Sequence, residues 1–207
     1  MTNEAVIVGK DHHNALSIVE SLGRKGIRPY LVVLSKYKKS YVGNSKYVEK
    51  YWCCPDAQSV VAVLKENFAD TEHKAVAYAC DDETAVILDE NHAELESFLL
   101  LPTVKDAGTL SKWMHKDRMS KLAEEVGMTV PKTWVSTDNR IPDGIEYPVI
   151  TKAHSSVEGS KSNLHICQDR TDLEEVMHKA HCDTMIFQQY VSKVFEFQFI
   201  GYSSWGG

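Results

Sequence analysis

The sequence predicts an α/β chain in two parts, a parallel sheet wound with helices on both faces and then a smaller α+β part built on an antiparallel sheet. Three observations predict it. Short apolar runs alternate with helical patterns from Glu4 to Leu99, the rhythm of strand–helix–strand units. From Lys132 onward the runs instead alternate apolar with polar residues and are joined mostly by short loops, as in an antiparallel sheet. With 207 residues and 43% hydrophobic content, the chain can bury one large core or two small ones.

Taken in order, Glu4 to Gly9 reads as a buried strand, Lys10-Asp11-His12-His13 as a turn, and Asn14 as the cap of a helix that places Ala15, Ile18, Val19 and Leu22 on one face. Gly23 and Gly26 stop that helix before a second strand, Pro29 to Leu34. A third strand ends near Trp52. A helix from Asp56 follows, with Val60, Val61, Val63 and Leu64 inward. Lys74 to Cys80 is the fourth strand and Glu83 to Leu88 begins a further helix. The pattern then changes. A charged helix is expected over Ser111 to Val126, ended by Gly127 and Pro131. After it come strands at Lys132 to Val135, Tyr147 to Lys152, Asn163 to Cys167, Met185 to Val191 and Phe195 to Tyr202, with one helix at Asp172 to His181. The expected boundary lies near residue 105, giving domains 1–105 and 106–207.

The formal charge of -6, with lysine and glutamate mixed along the helices, offers no basic stripe for a phosphate backbone, so nucleic acid is not an expected partner. No stretch reaches the roughly 20 apolar residues of a spanning helix, and no membrane partner is expected. Five cysteines, with Cys53-Cys54 adjacent and no C-x-x-C spacing, fit a reducing cytosol and a cytoplasmic chain. Cys53, Cys54 and Trp113 read as packing residues. His12-His13 has no Cys or carboxylate array beside it and reads as a surface turn rather than a metal site. Gly9-x-Asp11 lacks the further glycines of a dinucleotide fingerprint.

Chemistry concentrates in the second half. Pro148-Val149-Ile150 runs into Lys152, and a strand that delivers a lysine to its end must solvate or pair the charge. A hairpin carrying Ser155, Ser156, Gly159 and Ser160 follows, with enough hydroxyls and amides to wrap a polyphosphate above Lys152. Gly159-Ser160-Lys161-Ser162 imitates a P-loop, but the upstream glycine is missing and a strand follows where a helix should begin. A solvated lysine on a plain hairpin is the competing reading. Glu196 shares the polar face of its run with Val194 and Gln198, which suits either a solvated carboxylate or an acceptor for sugar hydroxyls. The backbone at Gln189 to Val191 could pair with a purine edge.

These residues together resemble the ATP-grasp superfamily, in the branch that looks like carbamoyl-phosphate synthase halves and D-aspartate or amino-acid ligases. The resemblance rests on Lys116-Asp117-Arg118, on Leu122 to Thr133, on Tyr147 to Lys152, on the Ser/Gly loop, and on Gln188-Gln189-Tyr190-Val191 with Glu196 behind it. It implies a Rossmann-like N-terminal domain followed by part of an ATP-grasp subdomain. Lys116 and Lys152 would contact the phosphates of ATP, and Ser155 to Ser160 would close over them. Gln188 would meet the adenine amino group, Gln189 and Val191 the ring through the backbone, and Glu196 the ribose.

The implied reaction converts a carboxylate into an acylphosphate that an amine attacks, using ATP and Mg2+. The metal ligands are expected beyond Gly207, so the chain is expected to end inside that architecture and to be inactive alone. No residue is assigned a catalytic role. Asp11, Asn14, Asp81 and Asp82, at the carboxyl ends of the first and fourth strands, are candidates for the small carboxylate or amino-acid substrate; helix capping accounts for Asn14 and Asp82 equally well. A homodimer stays open. So does a second function class, a catalytically silent nucleotide-binding or protein-interaction module, although retention of both lysines favours the enzyme.

Overall fold

A computed structural model of the chain describes residues 3–102, 108–113, 116–138, 140–153, 164–179 and 184–197. The chain folds as two compact units, one running from the N-terminus to Met119 and the other starting at Ser120.

In the first unit five parallel strands, β1 (Ala5–Gly9), β2 (Tyr30–Leu34), β3 (Tyr51–Cys54), β4 (Ala75–Ala79) and β5 (Leu99–Leu100), lie in the order β3-β2-β1-β4-β5. β1 is buried at all five positions, which explains why its sequence is continuously apolar rather than alternating. Val6 and Val8 enter one apolar cluster and Ile7 the other, as the two-residue period of a strand requires. Helix α1 (His13–Gly23) supplies Ala15 and Val19 to the Ile7 side, together with Val42 and Val48 from the long connection after β2. Helices α2 (Ala57–Phe68), α3 (Asp82–Glu90) and α4 (His92–Leu95) supply Val60, Leu64, Phe68, Leu88 and Leu95 to the other. Each fully buried aliphatic side chain here contributes about 1.5–3 kcal/mol. The predicted parallel sheet with helices on both faces is therefore present.

Several local expectations shift. The cap of α1 is His12, whose Nδ1 accepts the amide of Asn14; Asn14 lies inside the helix because the chain turns two residues earlier than its side-chain preference suggests. Asp81, not Asp82, caps α3, accepting from the amide of Thr84 at 3.0 Å. β3 extends past Trp52 to Cys54, because its pairing with β2 continues to Leu34. The expected helix over Ser111 to Val126 is present in its described residues as α5 (Thr109–Trp113) and α6 (Lys116–Glu125), and residues 114–115 lie outside the described residues. Ser111 is tied to α3 by Asp89, which accepts its amide and hydroxyl at 3.0 and 2.9 Å. Trp113 is 41% exposed rather than packed. Gly127 ends α6 as expected: at φ 81° it takes the left-handed conformation, and the amide of Met128 returns to the carbonyl of Ala123.

In the second unit β6 (Thr133–Ser136), β7 (Val149–Ala153), β8 (Ile166–Cys167) and β9 (Met185–Gln189) form an antiparallel sheet in the order β6-β9-β7-β8, as predicted. Helix α7 (Arg170–Lys179) begins two residues before the expected start, where Asp169 accepts the amide of Asp172. It packs Leu173 and Met177 against Val149, Cys167, Met185 and Phe187. The strand expected from Phe195 is corrected: residues 195–197 are exposed and outside any strand, and 198–202 lie outside the described residues. Of the strand expected over Asn163 to Cys167, Ile166 and Cys167 form β8, residues 164 and 165 lie outside it, and Asn163 is outside the described residues.

Candidate functional site

Register assigns each side of the second unit's sheet. Pairing of Thr133 with Gln188, Ile150 with Gln188, and Lys152 with Ile186 puts these residues, with Val135 and Ile166, on the side opposite α7. On that side Val135 and Ile166 are 42% and 44% exposed, whereas Val149 and Phe187 on the helix side are fully buried. One face is thus a core; on the other, three polar groups lie among aliphatic side chains, of which Val135 and Ile166 are exposed and Ile186 is buried at 1%.

Those polar groups are joined. Lys152 Nζ donates to Gln188 Oε1 at 2.7 Å, and Gln188 Nε2 donates to Thr133 Oγ1 at 3.0 Å. Thr133 Oγ1–H in turn donates to the carbonyl of Pro131 at 3.0 Å. The chain of bonds fixes the amide: an ammonium has only donors, so it must face the carbonyl oxygen of Gln188. That oxygen has a second lone pair and can accept from another N–H donor. Lys152 is held at the side of β7 by Gln188, from an adjacent strand, so its charge is positioned by tertiary pairing and not by a local turn. Beneath it Thr151 is fully buried, and its hydroxyl accepts the amide of His165 at 3.1 Å.

The other expected nucleotide contacts fall as follows. At the end of β9 and just past it, the amides of Gln189 and Tyr190 are spent on the carbonyls of Lys132 and Pro148, at 2.9 Å each. Val191 is exposed, and its amide has no backbone acceptor among the described residues. Glu196 is exposed and accepts from Lys193 at 2.7 Å, which holds its carboxyl below the usual range. Lys116 opens α6, but its side chain lies outside the described residues, as do Ser155, Ser156, Gly159 and Ser160.

The candidates at the carboxyl ends of the parallel strands have structural partners. The Asp11 carboxylate accepts from Ser40 Oγ at 2.7 Å and from the amides of Tyr41 and Val42 at 2.9 and 3.1 Å. Asp81 accepts the amides of Lys10 and Thr84. Asn14 Nδ2 donates to the carbonyl of Cys80 at 3.3 Å, and Asp82 is exposed in the first turn of α3. Sequence reasoning missed an open groove of about 520 Å³ beside them, lined by Lys10, Ser35, Lys36, Asp56 and Glu83; Lys10 there is paired with Glu83 at 2.6 Å. No periodicity reports a groove assembled from four separate elements.

Cys53, Cys54, Cys80 and Cys167 are free thiols. Burial pushes Cys54 up to about 11 and Cys80 up to about 12, so neither is an activated nucleophile. Among the described residues no group of three or more His, Cys, Asp or Glu side chains could hold a metal ion, and no helix is long and apolar enough to cross a membrane.

Comparison with known proteins bears on the same architecture. No family model matches the sequence. A D-aspartate ligase of Enterococcus faecium (strain Aus0004) is 24% identical over 108 residues, which is 49% of this chain and 25% of that protein. Among solved structures, an L-amino acid ligase from Bacillus licheniformis superposes with a TM-score of 0.71 at 16% identity, covering 92% of this chain and 45% of that one. An N5-carboxyaminoimidazole synthase from Aspergillus clavatus, in complex with ADP and an aminoimidazole ribonucleotide, gives 0.61 at 12% identity over 92% and 47%. A RimK domain ATP-grasp protein from Sphaerobacter thermophilus gives 0.53 at 16% identity over 91% and 65%. This chain therefore spans about half the length or less of the ligases first matched, and its fold is that of ATP-grasp ligases.

Proposed function

We propose that this chain forms the ATP-binding portion of an ATP-dependent carboxylate–amine ligase that works through an acylphosphate. The observation that carries the reading is the bonded set Lys152–Gln188–Thr133 on the accessible face of the antiparallel sheet. It offers what a nucleotide needs in a small space. The aliphatic side chains of Val135, Ile150 and Ile166 provide an apolar surface for a planar base, Gln188 Oε1 provides an acceptor for an exocyclic amino group, and Lys152 provides a positive charge for a phosphate. The amide of Val191, immediately past β9, supplies a donor for a ring nitrogen. The likeness to ligases, one with ADP bound, supports the same reading.

ATP when bound would supply the phosphoryl group that activates the carboxylate. The chain's own residues would orient it: Gln188 fixes where Lys152 holds its charge, and a preset charge is worth more than one that must reorganise during transfer. Lys116 and the Ser155 to Ser160 segment belong to this proposal as further phosphate contacts, and Glu196 as a ribose contact once released from Lys193. The described residues furnish no set of ligands for magnesium, so no step is assigned to it.

The test is the shift in melting temperature on adding ATP, compared between the natural chain and Lys152→Ala. A phosphate contact of this kind should weaken binding by about 1–3 kcal/mol when removed. Equal shifts in the two proteins would overturn the assignment.

A further inference from the structure

Gln188 lies on β9 between two neighbouring strands, with Thr133 of β6 opposite it on one side and Ile150 of β7 on the other. An amide side chain is ambiguous by nature: turned end for end, it keeps its shape and exchanges an acceptor for a donor. Here both ends are constrained. At one, Lys152 Nζ, which has only protons to give, faces Oε1 at 2.7 Å. At the other, Nε2 donates to Thr133 Oγ1 at 3.0 Å, and that hydroxyl has already committed its own proton to the carbonyl of Pro131, at 3.0 Å. Reversing the amide would set an oxygen against the lone pairs of Thr133 Oγ1 and an NH2 group against an ammonium.

The two constraints differ in permanence. Lys152 is a long side chain, and with a nucleotide bound its ammonium would serve two acceptors, a phosphate and Gln188 Oε1. A charged acceptor takes the larger share of such a donor. Thr133 has no second acceptor to serve, because its proton stays with a carbonyl two residues away in the same chain. Its β-branched side chain is stiff at χ1, and the pairing of β6 with β9, from Thr133 opposite Gln188 to Ser136 opposite Met185, fixes where it stands. Thr133 is therefore the end of the set that keeps the amide's direction while Lys152 is shared with a phosphate.

We infer that Thr133, backed by the Pro131 carbonyl, is the positioning residue that makes this site select a purine nucleotide with an exocyclic amino group, as in ATP, over one with a carbonyl oxygen at the same ring position, a step that rests on the reading of Gln188 as the adenine contact. Thr133 itself touches no base. It acts by keeping Oε1, an acceptor, as the atom that Gln188 can offer. An amino group brings a proton to that oxygen, whereas a carbonyl brings a second oxygen and leaves both unpaired. A fixed polar partner of this kind discriminates more sharply than an apolar pocket does. A Gln188 free to turn would present Nε2 to the carbonyl and serve both bases.

The test is the ratio of the dissociation constants for ATP and inosine triphosphate, measured by calorimetric titration of the full chain. Inosine triphosphate keeps the sugar and the phosphates and exchanges the amino group for an oxygen, with a proton on the adjacent ring nitrogen. The natural chain should prefer ATP by roughly tenfold or more. Thr133→Val and Thr133→Ala, which lack the hydroxyl, should bring that ratio several-fold closer to one, and Thr133→Ser, which restores it, should keep the preference. The amide of Val191 is the same in all four proteins, so a changed ratio reports the Gln188 end. A purely structural role for Thr133 would weaken both nucleotides alike and leave the ratio where it was, and that result would overturn the proposal. Equal affinity of the natural chain for the two nucleotides would overturn it too, while leaving ATP binding in place. Failure to bind either nucleotide would remove the ATP-binding reading and this one together.

Discussion

The two sheets of this chain bury themselves differently. In β1 every side chain is inside, with Val6 and Val8 facing one apolar cluster and Ile7 the other. In β7 only alternate positions are fully inside: Val149 and Thr151 are at 0% exposure, while Ile150 and Lys152 are half-buried. A sheet covered on both faces commits its side chains to stability. A sheet with one fully buried face keeps some side chains of the other available, here Val135 and Ile166, and there the joined polar residues lie. Stability and recognition are thus divided between two sheets, and a substitution should report which kind it has touched.

The largest expected effects test the buried side of that contrast. Ile7→Ala should cost about 2–5 kcal/mol and Phe187→Ala about 3–5 kcal/mol, read from urea unfolding, with Phe187→Ala acting through the face that packs on α7. Val135→Ala, on the open face, should cost less than about 1 kcal/mol. If Val135→Ala destabilises as much as Ile7→Ala, the open face is a core and the contrast is broken.

Next in size is Gln188→Leu. It removes the acceptor of Lys152 and the donor to Thr133, and should cost about 1–3 kcal/mol through the groups left unpaired. It should also reduce the ATP-induced rise in melting temperature more than Val135→Ala does. A variant that loses stability and keeps its full response to ATP would confine Gln188 to a structural part.

Asp81→Ala should cost about 1 kcal/mol as a lost helix cap, measured in the same way. Because Asp81 also accepts the amide of Lys10, the loss should exceed that of Asp82→Ala, which caps nothing.

The smallest effect concerns pH. Burial raises the thiol of Cys80 to about 12 from its ordinary value near 9, so the folded state favours the protonated form. The sign follows: that contribution is complete below the unfolded value near 9 and is lost as pH rises toward the folded value. Urea midpoints should therefore decline with alkaline pH, and Cys80→Ala should flatten the decline. An unchanged slope would remove Cys80 as its source.

Much of this was legible in advance where a local rule and the tertiary result agree. The apolar runs located four of the five parallel strands, because a strand buried on both faces reads as an unbroken apolar run; β5, two residues long, left no such run. Asp56 was legible as the start of α2, and it caps that helix with a reciprocal bond from Ser59. Local rules failed where two donors or caps compete within a turn. Asn14 and Asp82 are as good cap residues as His12 and Asp81, and only the position of the chain as it leaves β1 and β4 decides between them. Phe195 and Phe197 alternate as in a strand, yet with no strand paired to them among the described residues they lie exposed.

By itself, then, the order of residues determined the two fold classes and most of the strands that carry them, and it marked Lys152 and Gln188 separately, one as a phosphate contact and the other as an adenine contact. The tertiary structure alone decided that these two side chains meet, and that the Asp11 carboxylate accepts three donors from the connection after β2. The physical reason is range. Hydrophobic period and cap preference act within a few residues, whereas a hydrogen bond between Lys152 and Gln188, 36 positions apart, exists only because strand register brings β7 beside β9.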